Sequence, residues 1–259
     1  AKVVPGKEEF HETIRYFKVQ LEKTGVELRL NTKVNREQLE REGFDDVIIA
    51  TGVVPRGLKI EGSDAPNVLS YAEVLRGAPV GDKVAVIGAG GIGFDVSEYL
   101  LKPEHQPQPQ PLAEWQREWG VDPNPNYMTE GGHVPAEVEA PIRQIYLMQR
   151  KTTPLGIGLG KTSGWVHRAQ LKKHAVRMMR GVQYKSVSNE GLWVEVNGHD
   201  QLLRVDTIVV CAGQESVKEL MPKEGESTLA SYHIIGGAKL AAELDAKRAI
   251  REGAEIAAI

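Results

Sequence analysis

A single cysteine, Cys211, stands in the 259 residues. It excludes an internal disulfide and any all-cysteine metal cluster within this chain. It also fits a reducing compartment, so a cytoplasmic location is expected. The seven histidines show no metal-ligand spacing, and none forms a credible nucleophile pair with Cys211. No apolar run approaches the roughly 18 residues of a membrane-spanning helix. Excess charge is missing too. A formal net charge of −3 gives no electrostatic reason to expect nucleic acid or an anionic membrane as partner. The opening Ala1-Lys2-Val3-Val4-Pro5 has neither an initiator methionine nor the pattern of a signal peptide, and reads as the start of a piece of a longer chain.

What is present is enough apolar material, 41% of residues against 26% charged, for a packed globule of one large or two ordinary domains. The organising stretch is Lys83-Val84-Ala85-Val86-Ile87-Gly88-Ala89-Gly90-Gly91-Ile92-Gly93. Four apolar residues predict a short buried strand. A Gly-x-Gly-x-x-Gly turn follows at Gly88, Gly90 and Gly93, and 94–101 reads as a helix. In that context the motif signifies dinucleotide binding. Gly88 permits the tight turn, Gly90 lets backbone approach a pyrophosphate, and Gly93 lets the helix sit close on the strand. The helix N-terminus offers unpaired N–H groups to the phosphates.

In chain order, 8–24 carries Phe10, Ile14, Phe17 and Leu21 at helical spacing, an amphipathic helix ended by Gly25. Residues 26–30 alternate and predict a strand. A charged helix spans 36–42, a buried strand 46–50, a Pro- and Gly-marked linker 55–66, and a short helix 71–76. The segment 103–141, with Pro103, Pro107, Pro109, Pro111, Trp115 and Trp119, is long for a connection inside a compact domain and reads as an insertion or partner-facing loop, with one short helix at 112–119. A strand follows at 144–149, then a glycine-rich loop at 156–164 and a basic helix at 165–179. Three antiparallel strands are expected at 182–187, 191–197 and 201–205. A buried strand at 206–213 ends in Ala212-Gly213, as 45–52 ends in Thr51-Gly52. A last helix is expected at 243–255.

Lys2-Val3-Val4-Pro5-Gly6-Lys7-Glu8-Glu9-Phe10, Val86 to Asp95, Gln149-Arg150-Lys151, Gly158-Leu159-Gly160-Lys161-Thr162, Gly164-Trp165-Val166-His167-Arg168, Cys211-Ala212-Gly213-Gln214-Glu215 and Glu243-Leu244-Asp245-Ala246 together resemble the C-terminal portion of bacterial NADPH-dependent 2,4-dienoyl-CoA reductases, in the trimethylamine dehydrogenase-like group. Within the insertion, Glu118-Trp119-Gly120 matches as well. The resemblance implies an α/β, three-layer fold of two Rossmann-like nucleotide-binding domains. An NADPH domain at 79–214 is inserted in an incomplete FAD domain formed by 1–78 and 215–259. It implies that hydride passes from NADPH to FAD, and that electrons leave singly through a four-iron cluster to FMN in an N-terminal barrel. FMN, cluster and barrel belong to the part of the polypeptide preceding this chain, which is the expected protein partner. Two other readings stand beside it. One is an ADP-holding relative of the trimethylamine dehydrogenase type, against which Arg150-Lys151 argues. The other is a non-catalytic nucleotide-binding or assembly module.

The expected cofactor-binding residues follow. Gly88, Gly90, Gly91 and Gly93 take the pyrophosphate. Arg150 and Lys151 end the strand that faces the adenosine ribose; an acid there suits NAD, whereas a basic pair suits the 2′-phosphate of NADP. For FAD, Lys7 follows a Pro-Gly turn, and the resemblance places Val34 where adenine is read by backbone groups. Thr51-Gly52 and Gly213 end core strands, and Gly236 precedes the last helix. Gly236-Gly237 stands where many such flavoproteins have Gly-Asp, which leaves the ribityl contact unassigned, and Asp245 reads as a cap. Gly156 to Thr162 imitates a P-loop, but the required first glycine is Leu155, which excludes that motif. The loop is expected to bring Lys161 and Arg168 to the NADPH phosphates or to the barrel. Hydride passage between two cofactors needs no protein acid or base, so no catalytic residue is assigned.

Overall fold

The structure is a computed structural model that describes residues 2–101, 110–124, 132–242 and 246–258. The elements in chain order are α1 (Phe10–Lys23), α2 (Arg36–Glu42), β1 (Asp46–Ile49), β2 (Val53–Pro55), β3 (Val68–Ser70), α3 (Tyr71–Val74), β4 (Lys83–Ile87), α4 (Gly91–Leu101), α5 (Leu112–Trp119), β5 (Gln144–Met148), α6 (Gly164–Lys173), β6 (Arg177–Met179), β7 (Gln183–Ser188), β8 (Gly191–Val196), β9 (His199–Leu203), β10 (Thr207–Val210), β11 (Gln214–Ser216), β12 (Ser231–Ile234), α7 (Gly236–Lys239) and α8 (Ala246–Ile256). They form two compact units. Unit 1 holds Ala1–Lys18 and Gly57–Ala212; unit 2 holds Val19–Arg56 and Gly213–Ile259.

Unit 1 is built on a five-stranded sheet in the order β3-β10-β4-β5-β6, every neighbouring pair parallel. A parallel sheet is stable when both faces are covered, and its strands are then apolar throughout. Strand β4 shows how this works. Val84 and Val86 face a cluster with Phe94, Val96, Leu100 and Leu171 of α4 and α6. Ala85 and Ile87 face a cluster with Val187, Leu192, Val194 and Leu203 of the antiparallel meander β7-β8-β9. Helices, sheet and meander make three layers. The α/β, Rossmann-type reading of the sequence therefore stands.

The basic helix expected over 165–179 is shorter, and the reason is local. Ala175 adopts φ +56. Its N–H bonds Lys172 O at 3.1 Å, and the Val176 N–H bonds Leu171 O at 2.9 Å. This is a Schellman stop with alanine in the place usually taken by glycine. Leu171 and Val176 share the buried cluster, which supplies the hydrophobic contact that accompanies such a cap. Residues 177–179 then join the sheet as β6.

Helix α5 of the insertion is tied to α6 through Glu118, which is 7% exposed. Its Oε1 accepts from Gln170 Nε2 at 2.6 Å and its Oε2 from Gln110 Nε2 at 2.8 Å. Lys173 donates to the Glu118 carbonyl at 2.8 Å and lies 3.8 Å from the Trp119 ring centroid. The rest of the insertion at 103–109 and 125–131 lies outside the described residues.

Unit 2 is smaller. Strand β1 pairs with β12 in parallel and β2 with β11 antiparallel. Val47, Ile49, Ala230 and Ala238 form the buried cluster. Four expectations change here. First, 46–50 is only half-buried, with Ile48 exposed, because the described part of this sheet has two strands. Second, 26–30 forms no strand; Val26, Leu28 and Leu30 are exposed, and no strand among the described residues pairs with this stretch. Third, the apolar stripe of α1 is not buried. Fourth, residues 57–78, expected in the FAD part, belong to unit 1, because β3 pairs with β10. Residues 2–18 lie in unit 1 as well. Asp245 lies outside the described residues.

Candidate functional site

The sheet order of unit 1 reverses at β4, where the chain goes on to β5 on one side and later places β10 on the other. In open α/β sheets the carboxyl ends of strands at such a switch point leave a crevice that binds ligands. A cavity of about 480 Å³ lies there. It is lined by Gly88, Gly90 and Gly91 after β4, by Gln149, Arg150 and Lys151 after β5, and by Ala212 after β10.

The glycines at this turn do different work. Gly88 has φ +108, and a Cβ there would stand 2.6 Å from Cys211 O. A Cβ on Gly93 would stand 1.8 Å from Gly88 O. These two are fixed by backbone packing. At Gly90 and Gly91 an added Cβ would meet no atom within 4 Å, and both line the cavity. Their missing side chains are space left for a ligand. Helix α4 begins at Gly91 with no acidic residue in its first turn, so its N–H groups and partial positive charge face the cavity uncompensated.

Arg150 and Lys151, at the end of the neighbouring strand β5, line the same cavity, and both are exposed. Neither side chain forms an ion pair or hydrogen bond with a described residue. Their backbone is held firmly. The Gln149 N–H bonds Met179 O at 3.0 Å, and the Lys151 carbonyl accepts from the Gly181 N–H at 2.9 Å. The Gln149 side chain bonds the carbonyls of Lys151 and Thr153 at 3.2 and 2.6 Å. Two free cations on a rigid strand end, together with a helix N-terminus, make a cavity suited to an anion with two charged ends.

The loop 156–159 forms a further wall. Lys161 and Arg168, expected near phosphates, do not line the cavity. Arg168 instead donates to Gly156 O at 2.9 Å and holds that wall. Sequence reasoning missed Tyr184, Gln149, Thr153 and Ile157, which also line the cavity. Only Gln149, adjacent to Arg150, carried a local signal. Cys211 is buried, and burial first, then the Asp95 carboxylate, push its thiol pKa well up, so it stays protonated.

The residues expected at FAD divide between the units. Lys7 is in unit 1, its ammonium 2.6 Å from Asp95 Oδ2 of α4. Val34, Thr51, Gly52, Gly213 and Gly236 are in unit 2. The Thr51 hydroxyl donates to Val217 O at 2.7 Å, and the Gly236 N–H donates to Glu252 Oε2 at 2.6 Å. Gly52 and Gly213 take φ +71 and +108, conformations that favour glycine. Gly52 is also open, with no atom within 4 Å of an added Cβ.

Comparison with known proteins agrees with this architecture. A curated metal reductase of Desulforamulus reducens is 26% identical over 235 residues, 85% of this chain and 32% of that protein. A cinnamate reductase of Clostridium sporogenes is 36% identical over 104 residues, 38% of this chain and 15% of that protein. The chain thus spans about a third or less of the length of these relatives. Among solved structures, a 2-naphthoyl-CoA reductase complex superposes with a TM-score of 0.74 at 24% identity, covering 97% of this chain and 32% of that one. Histamine dehydrogenase from Rhizobium sp. 4-9 gives 0.72 at 16%, covering 99% and 37%. At these identities the likeness is one of fold. Residues 8–235 match the family model described as pyridine nucleotide-disulphide oxidoreductase, and the chain belongs to that family.

Proposed function

We propose that this chain is the electron-input module of a longer flavoprotein reductase, with NADPH held in unit 1 and FAD in unit 2, serving the reduction of 2,4-dienoyl-CoA thioesters in unsaturated fatty acid β-oxidation. The observation that carries the coenzyme choice is the pair Arg150 and Lys151, unpaired at the rim of the cavity that the glycine turn also lines. When bound, the two cofactors supply the hydride donor and acceptor. The protein's part is to hold them. Gly90 and Gly91 leave room for a pyrophosphate against backbone N–H groups, and α4 adds the charge of its N-terminus. Arg150 and Lys151 supply the charge-assisted bonds that a ribose 2′-phosphate accepts and a 2′-hydroxyl does not. In unit 2 the open Gly52 and the left-handed Gly213 fit close backbone approach to a flavin nucleotide. The Thr51 hydroxyl and the Gly236 N–H serve the fold through their internal bonds.

The dienoyl-CoA substrate, and the FMN barrel and iron–sulfur cluster that would take the electrons onward, rest on the quoted sequence motifs. The two curated relatives named above are also reductases. The test uses the complete flavoprotein under anaerobic conditions. NADPH should bleach the flavin absorbance, and a 2,4-dienoyl-CoA should restore it. No bleaching would remove the input role. Bleaching without restoration would remove the substrate.

A further inference from the structure

Tyr184 is the one aromatic side chain that lines the nucleotide cavity. Its position there is unusual for its strand. In a regular strand, residues three apart face opposite sides, yet Tyr184 and Val187 both pack on the core cluster beneath the meander. The pairing of β7 with β8 explains it. Tyr184 opposes Val194 and Ser186 opposes Trp193, so Lys185 is an extra residue on one strand. Lys185 turns outward and pairs with Glu195. Such a bulge re-aims a side chain, and bulges concentrate beside binding sites.

The bulge thus brings a partly buried tyrosine to the cavity, near Arg150. Its hydroxyl makes no hydrogen bond with any described residue. The ring packs on the core while the residue also lines the cavity, so the hydroxyl is available to a ligand there. Burial pushes the phenol pKa up, and the nearby Arg150 guanidinium only partly opposes this. At neutral pH the group is therefore a neutral hydroxyl near Arg150, in a cavity that Lys151 also lines. The phenol can donate as the guanidinium and ammonium do, and together they suit a dense acceptor such as a phosphate monoester.

We infer that the Tyr184 hydroxyl completes, with Arg150 and Lys151, the subsite for the ribose 2′-phosphate of the coenzyme. The inference rests on the nucleotide reading of the cavity. Tyr184 is then a specificity-determining residue whose ring is fixed by the core and whose oxygen serves the ligand.

The test compares two adenosine probes by isothermal titration of the chain and its Tyr184→Phe variant. One is 2′,5′-ADP, which carries the 2′-phosphate. The other is 5′-ADP, which lacks it. Wild type should prefer 2′,5′-ADP. The variant, which keeps the ring and its packing, should lose roughly tenfold for 2′,5′-ADP and stay within about twofold for 5′-ADP. A variant that binds 2′,5′-ADP as wild type does would overturn the inference while leaving the coenzyme reading intact. Equal loss of both probes would also overturn it, because the tyrosine would then serve the shared adenosine. A wild-type chain without preference between the probes would remove the coenzyme reading itself.

Discussion

Gly90 and Gly93 are three residues apart in one motif, and they answer to different forces. A Cβ on Gly93 collides with the Gly88 carbonyl, whereas one on Gly90 enters open space at the cavity. Gly93→Ala should therefore destabilise the protein by about 2–3 kcal/mol through overpacking, seen as a lower urea midpoint. Gly90→Val should leave that midpoint nearly unchanged and abolish NADPH binding in a titration; unchanged binding with an intact fold would remove the pyrophosphate assignment. The close packing at Gly93 and the open position of Gly90 were legible in the sequence because each depends on a few neighbouring residues. Arg150 and Lys151 were legible for the same reason, as they end the strand after the glycine-turn helix. Tyr184 was not. Its inward aim depends on a one-residue bulge against β8, and no local pattern in Gln183-Tyr184-Lys185-Ser186 announces which residue is extra. Lys161 and Arg168 misled because a basic residue near a glycine loop suggests phosphate, whereas the Arg168 guanidinium bonds the loop's own carbonyl.

Among elements, β4 and β10 were readable because burial on both faces makes them near-continuous apolar runs, and α4 because it follows the glycine turn. The end of α6 was not, since its stop uses Ala175 in a left-handed turn. The alternation at 26–30 predicted a strand, but a strand also needs a partner, which no sequence window supplies. One contact between elements is titratable. His167 Nδ1 of α6 lies 2.8 Å from Glu98 Oε1 of α4. The hydrogen bond to Glu98 holds the His167 pKa above its ordinary value; burial opposes this, the Glu98 and Asp95 charges add to it, and Lys7 opposes it. A raised folded-state pKa means that the pair's stabilisation is complete below about pH 6.5 and is lost as pH rises through the raised value. The gap in melting temperature between wild type and His167→Gln should therefore be widest at low pH and close in alkali. A gap independent of pH would show that the imidazole acts by packing alone.

At the scale of the molecule, the discontinuous character of the chain was legible from the paired strand endings Thr51-Gly52 and Ala212-Gly213, though not its borders. The pairing of β3 with β10 puts residues 57–78 in unit 1. The units differ in how much they bury. Unit 1 encloses its central strands between two large clusters, and unit 2 has four buried residues in its cluster. Local stability follows burial, so amides of β4, β5 and β10 should exchange with deuterium slowest and those of β1 and β12 markedly faster. Equal protection in both would contradict the difference in core size. The most direct test of the central claim, that unit 1 selects NADPH through the basic end of β5, is a titration of wild type and Arg150→Ala with NADPH and NADH. A charged hydrogen bond contributes ~1.5–3 kcal/mol, and about 1.4 kcal/mol is tenfold. Wild type should prefer NADPH on the order of a hundredfold, and the variant should lose roughly tenfold or more for NADPH with NADH almost unchanged. Equal losses for both coenzymes would place Arg150 at the shared pyrophosphate or in the fold, and would contradict the claim.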